Sequence, residues 1–430
     1  MNKFNFERIK RNIFGNSFRF LSSIIVQLFY LPLMFYAWGS VNTGYWLFLI
    51  AAPQIISFWK INFSEVAKQE LTLRNGKNES YLYTISLCLT FLVILFFGLI
   101  YFVINILFLE YFEIFKNTKI NYFNYIIVII FFSFSLDLVT NNILILSQYK
   151  GKIYISEILI GIFDSLEKIT IGIIGLLTSE LIIAAYSYLV IKILKLLISK
   201  FLFKFNFNFY LINKNKKLFK NIFKKSLNIY YLNISNVINI SGLIYIIGFF
   251  FTAEIVAMVS AIQTMFRFTI YSINKVFIDV FYFEYAYYVK LRNTQKTLEI
   301  YKFQRFYFIF FLILFALFSV FLGEFIFNVW TNYNFTLFNN LILLITLDSI
   351  ISIISYNNLL LARSLNKIDK ISFKILLINI IMFSMILYFD YFKIDIEKIY
   401  ILVILKNFIE CLYTYFFNKN FMKKIKINEK

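Results

Sequence analysis

The chain has 430 residues, of which 60% are hydrophobic and 15% are charged, and its mean hydropathy is +0.74. Ordinary soluble domains are about 45–50% apolar, so this composition excludes a soluble enzyme and predicts a membrane protein. The formal net charge of +20 would suggest nucleic-acid binding in a soluble chain, but cations in cytoplasmic loops explain it here, and no nucleic-acid partner is expected.

Long apolar runs recur along the whole chain, each close to the roughly 20 residues that cross a bilayer core as an α-helix. The first half contains predicted spans near 14–37, 45–63, 83–109, 123–147, 153–177 and 181–199. The second half contains predicted spans near 227–251, 255–277, 304–329, 338–361, 371–389 and 399–417. These patterns predict an all-α polytopic membrane protein with about twelve transmembrane helices.

Basic residues alternate along the chain with short or acidic loops. They precede the first span and recur on the same side in Lys68, Arg74, Lys77, Lys150, Lys152, Lys290, Arg292, Lys296, Lys302, Arg305, Arg363, Lys367, Lys370 and Lys419. Cytoplasmic loops carry the excess of lysine and arginine in membrane proteins, so both termini are predicted to be cytoplasmic.

The opposite loops are too short to fold into a domain, as at Gly39–Gly44 and Thr178–Glu180. Cys88 and Cys411 lie inside predicted spans without ligand partners, and the chain has no histidine. Histidine is the commonest general base and metal ligand, so we predict no catalytic residue, no metal and no other cofactor. Any substrate must then be handled within the helical bundle, which argues against polymerases and transferases with large exoplasmic loops.

A basic segment near the middle of the chain divides it into two halves. We place a six-helix lobe at 1–205, a basic cytoplasmic linker at 206–226 and a second six-helix lobe at 227–430. The lysines of the linker suit either an ordinary cytoplasmic loop or a contact with anionic lipid headgroups.

An ungapped shift of the chain against itself aligns the first two spans with the seventh and eighth. Identical pairs include Asn12 and Asn221, Phe14 and Phe223, Ser17 and Ser226, Gly39 and Gly248, and Gln54 and Gln263. Both halves begin on the cytoplasmic side, so the predicted repeat is parallel, with a pseudo-two-fold axis along the membrane normal. In transporters of that build the substrate site lies between the halves.

Ionisable residues inside spans must be paired, reach the membrane surface or face a wet cavity, because a charge at mid-bilayer costs at least a few kcal/mol. Asp164 with Lys168, and Lys406 with Glu410, can pair within their own helices at four-residue spacing. Glu167 has no evident partner in the sequence.

Arg267 lies near the middle of the eighth span. It belongs to a predicted polar stripe at four-residue spacing, made of Gln263, Arg267, Tyr271, Lys275 and Asp279. Such a stripe faces the interior of a bundle rather than lipid. In the seventh span, two roles are open for the amides of Asn233, Asn236 and Asn239: they form hydrogen bonds between helices, or they line the cavity.

Two interpretations of Arg267 remain open. In the first, a carboxylate on another helix neutralises it, with Asp137 and Asp348 as the candidates. In the second, its planar guanidinium binds phosphate, and Arg19, which lies near a membrane boundary, adds a second cation from the cytoplasmic side.

Asp137 and Asp348 occupy corresponding spans of the two halves, and both lie deep in the membrane. A buried carboxylate can exchange a proton or hold Na⁺, and either would couple transport to an ion gradient. The alternative is a structural role, in which the acid is tied to Arg267 or to the amides of Asn141 and Asn142.

Two short basic loops follow leucine-rich helix ends in the two halves. They read Leu146-Ser-Gln-Tyr-Lys-Gly-Lys152 and Leu361-Ala-Arg-Ser-Leu-Asn-Lys367. Together with the basic N-terminus and the short turn from Gly39 to Trp46, they give a layout that resembles the polysaccharide-repeat flippases for O-antigen and capsule. Those flippases belong to the multidrug, oligosaccharidyl-lipid and polysaccharide (MATE-like) transporter superfamily. The resemblance covers nearly the whole chain.

The resemblance implies two lobes around a cationic cavity that opens alternately to either face of the bacterial inner membrane. Its cargo would be an undecaprenyl-diphosphate-linked oligosaccharide, an O-antigen, lipopolysaccharide or capsule repeat unit. The implied substrate contacts are Arg267, Arg19, Gln263, Tyr271 and Lys275. We expect a flippase rather than an enzyme, acting as a monomer among membrane lipids and coupled to H⁺ or Na⁺. The alternatives are a drug or metabolite antiporter of the same superfamily and a membrane polysaccharide polymerase.

Overall fold

A computed structural model describes residues 6–56, 63–64, 66–67, 71, 79–108, 114, 120–148, 153–178, 180–203, 223, 226, 231, 234–235, 238–274, 281, 285, 288, 294–332, 335, 340–364, 369–390 and 395–427. The regular structure of these residues is helical throughout. In this part of the chain, eight helices are long and apolar enough to cross a membrane, and two shorter apolar helices cover Ser80–Phe96 and Ile238–Phe250. The prediction of an all-α polytopic membrane protein is confirmed.

The described helices follow the predicted spans. The first part of the chain forms α1 (Phe6–Ile56), α2 (Glu79–Phe108), α3 (Ile120–Ser147), α4 (Ile153–Leu177) and α5 (Leu181–Phe203). A π-helical segment, Ile238–Gly242, leads into α6 (Leu243–Phe250), and α7 (Ala253–Ile262) continues into a second π-helical segment, Gln263–Phe268. The chain then forms α8 (Thr294–Trp330), α9 (Leu341–Asn358), α10 (Leu360–Ser364), α11 (Asp369–Asp390) and α12 (Ile396–Ile427).

Helix α1 contains the first predicted span and most of the second. Its 51 residues, at about 1.5 Å each, extend roughly 75 Å, more than twice the roughly 30 Å core of a bilayer. Gly39 breaks the helix with φ 71° and ψ 177°, a backbone conformation that is essentially restricted to glycine. The sequence predicted a loop at Gly39–Gly44, whereas in the structure the break is confined to Gly39 and the helix resumes directly after it.

Gly44 allows α1 to approach the start of α7 closely. A Cβ atom at Gly44 would lie 1.8 Å from the carbonyl oxygen of Ala253, a backbone atom that no rotamer change can move. We expect Gly44→Ala to lower the free energy of unfolding by about 1–3 kcal/mol, the usual cost of overpacking. Thermal unfolding in detergent measures the loss, with Ser40→Ala on the same helix as the control. A wild-type unfolding midpoint for Gly44→Ala would contradict this close approach.

The chain divides into two compact units, Met1–Ala257 and Met258–Lys430. In the first unit α1 packs along α4 and α3 packs along α5, and in the second unit α9 packs along α12. The lobe boundaries at 1–205 and 227–430 stay a prediction. Most of the predicted linker at 206–226 lies outside the described residues.

Glycines on both helices bring α1 and α4 close together. A Cβ atom at Gly15 would lie 2.6 Å from the Cα atom of Tyr154, and one at Gly161 would lie 3.0 Å from the Cα atom of Arg19. Small residues at such contacts let helix backbones approach, which favours association in a membrane. This approach places Arg19 directly beside the polar residues of α4.

Candidate functional site

Asp137 on α3 lies between two buried lysines of α5. Its Oδ1 atom is 3.3 Å from Lys192 Nζ and 2.8 Å from Lys195 Nζ. The lysine side chains are 5% and 1% exposed, so both charges are removed from water and need a close counter-charge. Asn141, one turn along α3, donates a hydrogen bond of 2.7 Å to the other oxygen of Asp137.

Helix α4 supplies two further carboxylates to the same lysines. Glu167 Oε2 lies 2.6 Å from Lys192, and Asp164 Oδ1 lies 3.3 Å from Lys195. Lys168 also interacts electrostatically with both acids, in addition to these contacts. In the described residues no group of three acidic or cysteine side chains is arranged to hold a metal ion. We call these three carboxylates and the two lysines between them the first-unit ion network: Asp137, Asp164, Glu167, Lys192 and Lys195.

Lys192 and Lys195 were not among the residues predicted from the sequence. The signal was available, because both lie inside the predicted span 181–199, and a separation of three residues places them on one face of a helix. Tyr188, one turn before Lys192, faces the same group, with its ring centroid 4.9 Å from Lys192 Nζ. Lysines at this depth needed counter-charges as much as Arg267 did.

Arg19 pairs with a carboxylate of α4. Its Nη1 atom donates a hydrogen bond of 2.7 Å to Glu157 Oε2, and Gln148 donates one of 2.9 Å to the other oxygen of Glu157. The Arg19 side chain is 35% exposed, so this ion pair is partly accessible. A cavity of about 480 Å³ lies along the same contact between α1 and α4, lined by Arg11, Phe14, Tyr154 and Ile158.

Arg267 forms a buried ion pair in the second unit. Its Nη1 atom lies 3.1 Å from Oδ2 of Asp348 on α9. Asp348 is fully buried, and Asn407 of α12 donates a hydrogen bond to its Oδ1 atom. Of the two carboxylates considered as counter-ions, Asp348 therefore lies beside Arg267, whereas Asp137 contacts the lysines of α5. We call Arg267, Asp348 and Asn407 the second-unit ion network.

Two other members of the predicted stripe lie in polar or aromatic contacts of this unit. Gln263 donates a hydrogen bond of 2.8 Å to the Tyr400 hydroxyl group, and its side-chain oxygen is buried with no hydrogen-bond partner among the described residues. Tyr271 packs edge-on against Tyr356, with ring centroids 5.7 Å apart. This oxygen of Gln263 lies one turn from Arg267 and can accept a hydrogen bond.

The predicted stripe passes through the second π-helical segment, in which Gln263 and Arg267 are both buried. The prediction assumed α-helical spacing, but Gln263–Phe268 has i→i+5 hydrogen bonds, which add residues to each turn and rotate the following side chains. Single π-helical turns inside α-helices are frequent at functional sites. The described residues do not include Lys275, Asp279, Asn233 and Asn236.

Lys406 and Glu410 form a second buried pair in this unit. Their charged atoms lie 4.0 Å apart within α12, which confirms the predicted pairing within one helix. Lys406 also donates a hydrogen bond of 3.0 Å to Asn379, and Ser355 donates one of 3.2 Å to Glu410. Both charges are therefore compensated by helices packed around α12.

No protein-family model matches the sequence, and no curated protein matches it. Solved transporter structures do match, over almost the whole chain. One match is the inward-facing conformation of a multidrug-resistance MATE family transporter of the MOP superfamily. The match covers 98% of this chain and 96% of that transporter, with 12% identity and a TM-score of 0.64. A Vibrio cholerae MATE transporter covers 97% of each chain, with 12% identity and a TM-score of 0.61. The chain has the MATE transporter fold.

This fold is known in more than one conformation. The outward-facing conformation of a multidrug-resistance MATE family transporter matches with 12% identity, 96% coverage of each chain and a TM-score of 0.57. Of what the sequence resemblance implies, these matches confirm the MATE-like fold. At this level of identity the MATE likeness establishes the fold alone, so the cargo must be argued from the ion networks.

Proposed function

We propose that this chain is an alternating-access transporter of the bacterial cytoplasmic membrane, with both termini in the cytoplasm and one copy forming the working unit. Two observations support this. The fold occurs in inward-facing and outward-facing transporters, and exposed apolar side chains such as Phe29 and Phe321 suit a lipid environment. In addition, ionisable groups buried in membrane helices ordinarily mark the path of a substrate or ion.

The cargo that we propose is an undecaprenyl-diphosphate-linked oligosaccharide, moved to the periplasmic leaflet. The observation that carries this proposal is that six carboxylates of the described helices, most of them largely buried, already contact cations. These acids are Glu157, Asp137, Asp164, Glu167, Asp348 and Glu410. To bind one of these acids, a cationic drug would have to separate it from its partner. The partner lysine or arginine would then be left without a counter-charge. An anionic cargo would instead replace the carboxylate beside that cation.

Ligand exchange of this kind also suggests how the ion gradient is used. When a phosphate takes the place of Asp348 beside Arg267, or of Asp137 beside the α5 lysines, the displaced carboxylate needs a new positive partner. A proton or Na⁺ supplies it. The planar fork of Arg267 suits bidentate contact with a phosphate, whereas Lys192 and Lys195 act as compact point charges.

Arg267→Gln is expected to lower periplasmic exposure of the lipid-linked oligosaccharide by about tenfold or more, because a charge-assisted hydrogen bond to phosphate is lost. A periplasm-restricted label that reports exposed glycan measures this in cells. Lys398→Gln removes an exposed charge from the surface pair with Asp395 and is the control, with export expected to be unchanged. Immunoblotting of membranes confirms equal amounts of each variant.

Other outcomes separate the alternatives. Normal export from Arg267→Gln would contradict the role of Arg267. If deletion of the whole protein leaves glycan exposure unchanged and alters drug resistance, the protein is an antiporter. If deletion leaves repeat units fully exposed but unextended, it is a polymerase.

A further inference from the structure

Arg305 of α8 lies between two tyrosine rings. Its guanidinium carbon is 5.5 Å from the ring centroid of Tyr301 and 5.8 Å from that of Tyr415 on α12. Within the part of the chain that the structure describes, no carboxylate lies at ion-pair distance from Arg305, Lys302 or Lys419. The rings hold the flat cation by cation–π attraction, and its N–H donors remain available to an acceptor from outside the protein.

The sequence around Arg305 places it at a membrane boundary. No charged residue occurs from Phe306 to Gly323, which approaches the roughly 20 residues of a membrane span. The residues before this stretch are rich in lysine, as expected on the cytoplasmic side. Tyrosine and arginine side chains at such a boundary lie at the level of the lipid headgroups.

The surroundings of Arg305 combine an apolar surface with a buried polar atom. Phe306 and Ile309 are 74% and 54% exposed on α8, and Leu412 is 43% exposed on α12. Asn418 of α12 is buried and donates a hydrogen bond of 3.1 Å to the Tyr301 hydroxyl group. In the part of the chain that the structure describes, the side-chain oxygen of Asn418 has no hydrogen-bond partner, so it can accept a hydrogen bond from a ligand hydroxyl group.

We propose that Arg305, Tyr301 and Tyr415 bind the phosphate of an anionic phospholipid of the cytoplasmic leaflet. The acyl chains would extend along the exposed apolar side chains of α8 and α12. Lys302 lies one turn before Arg305 on α8, and Lys419 lies one turn after Tyr415 on α12. Their positive charges favour an anionic headgroup over a zwitterionic one whose amine would be repelled. A glycerol headgroup also supplies the hydroxyl donor that Asn418 lacks. This site is independent of the cargo that the protein carries.

Native mass spectrometry of the purified full chain tests the site, with phosphatidylglycerol or phosphatidylcholine added in detergent. We expect wild-type protein to retain phosphatidylglycerol in preference to phosphatidylcholine. Arg305→Gln should reduce this retention about fivefold, the effect of losing one basic contact with an anionic surface. Lys296→Gln is the matched control, since it removes the same charge from the same helix about 13 Å further from the membrane. Its retention should equal that of the wild type.

Two further variants separate the site from general folding. Arg305→Lys keeps the charge without the flat stacking surface and should retain an intermediate amount of lipid. Tyr415→Leu keeps Arg305 and should also reduce retention, so it decides the matter if Arg305→Gln does not fold. Equal retention of phosphatidylglycerol by the wild type, Arg305→Gln and Tyr415→Leu would overturn the proposal. So would equal binding of the two lipids, or equal thermal stabilisation by inorganic phosphate and phosphatidylglycerol.

Discussion

Replacing Asp348 with leucine is expected to lower the free energy of unfolding by about 3–5 kcal/mol, the usual cost of removing one partner of a buried ion pair. Asp348 is fully buried, and its carboxylate faces Arg267 at 3.1 Å and accepts a hydrogen bond from Asn407. Leucine fills a similar volume but offers neither group an acceptor. Denaturant titration in mixed micelles measures the loss. The control is Asp395→Asn, whose partner Lys398 is exposed, and its stability should be nearly unchanged.

The double variant Arg267→Met/Asp348→Leu distinguishes a structural ion pair from a functional one. Replacing a buried pair with apolar side chains of similar size is often neutral or stabilising, so the double variant should regain most of the lost stability. If Arg267 contacts the cargo, this stable protein should still fail to expose glycan in the periplasm. A stable double variant with normal export would show that the pair serves only to stabilise the second unit. A double variant as unstable as Asp348→Leu would contradict the apolar replacement argument.

The sequence predicted the features that depend on local composition. Hydropathy identifies membrane helices because each must shield its own backbone from lipid, independently of its neighbours. The pair of Lys406 and Glu410 was also predictable, because four-residue spacing brings two side chains together on any helix. For Arg267 the sequence left two candidate carboxylates, of which Asp348 was one, since a cation at that depth requires a counter-charge.

The pairing of residues within the first-unit ion network could not be predicted from the sequence. Lys195 is 58 residues from Asp137 and 31 residues from Asp164, so its partners depend on which helix faces meet after packing. Spacing along one helix suggested Lys168 as the partner of Asp164, and the structure adds Lys195 from α5. Pairing between helices is a property of tertiary structure, and a single sequence carries little information about it.

Departures of the backbone from regular α-helical geometry could not be predicted from the sequence either. The sequence suggested a short loop from Gly39 to Gly44, because this stretch separates two predicted spans. The structure needs only the positive φ of Gly39 to change the direction of the chain. The π-helical segment Gln263–Phe268 has no comparable signal, because it contains neither glycine nor proline.

The remaining large effect is expected at Asp137, whose carboxylate contacts both buried lysines of α5. Asp137→Asn keeps the shape of the side chain and an oxygen that can accept from Asn141. It removes one of the three acids that compensate Lys192 and Lys195, so the first-unit ion network becomes more positive. If a diphosphate replaces Asp137 during transport, the variant should bind the lipid-linked oligosaccharide at least as tightly as the wild type. It should nevertheless stop exporting it, because the carboxylate that contacts both lysines, and that would displace the cargo, is gone.

Binding to purified protein and glycan exposure in cells together test this expectation. Asp164→Asn is the matched control, because Asp164 is 38% exposed and faces Lys195 at 3.3 Å, so water can compensate much of its loss. We expect that control to reduce export by about fivefold at most, in line with a partly exposed ion pair. Normal export from Asp137→Asn would show that displacement by this carboxylate is not part of the cycle. Loss of both binding and export, in a variant that folds normally, would show that Asp137 holds the cargo-binding conformation instead of releasing the cargo.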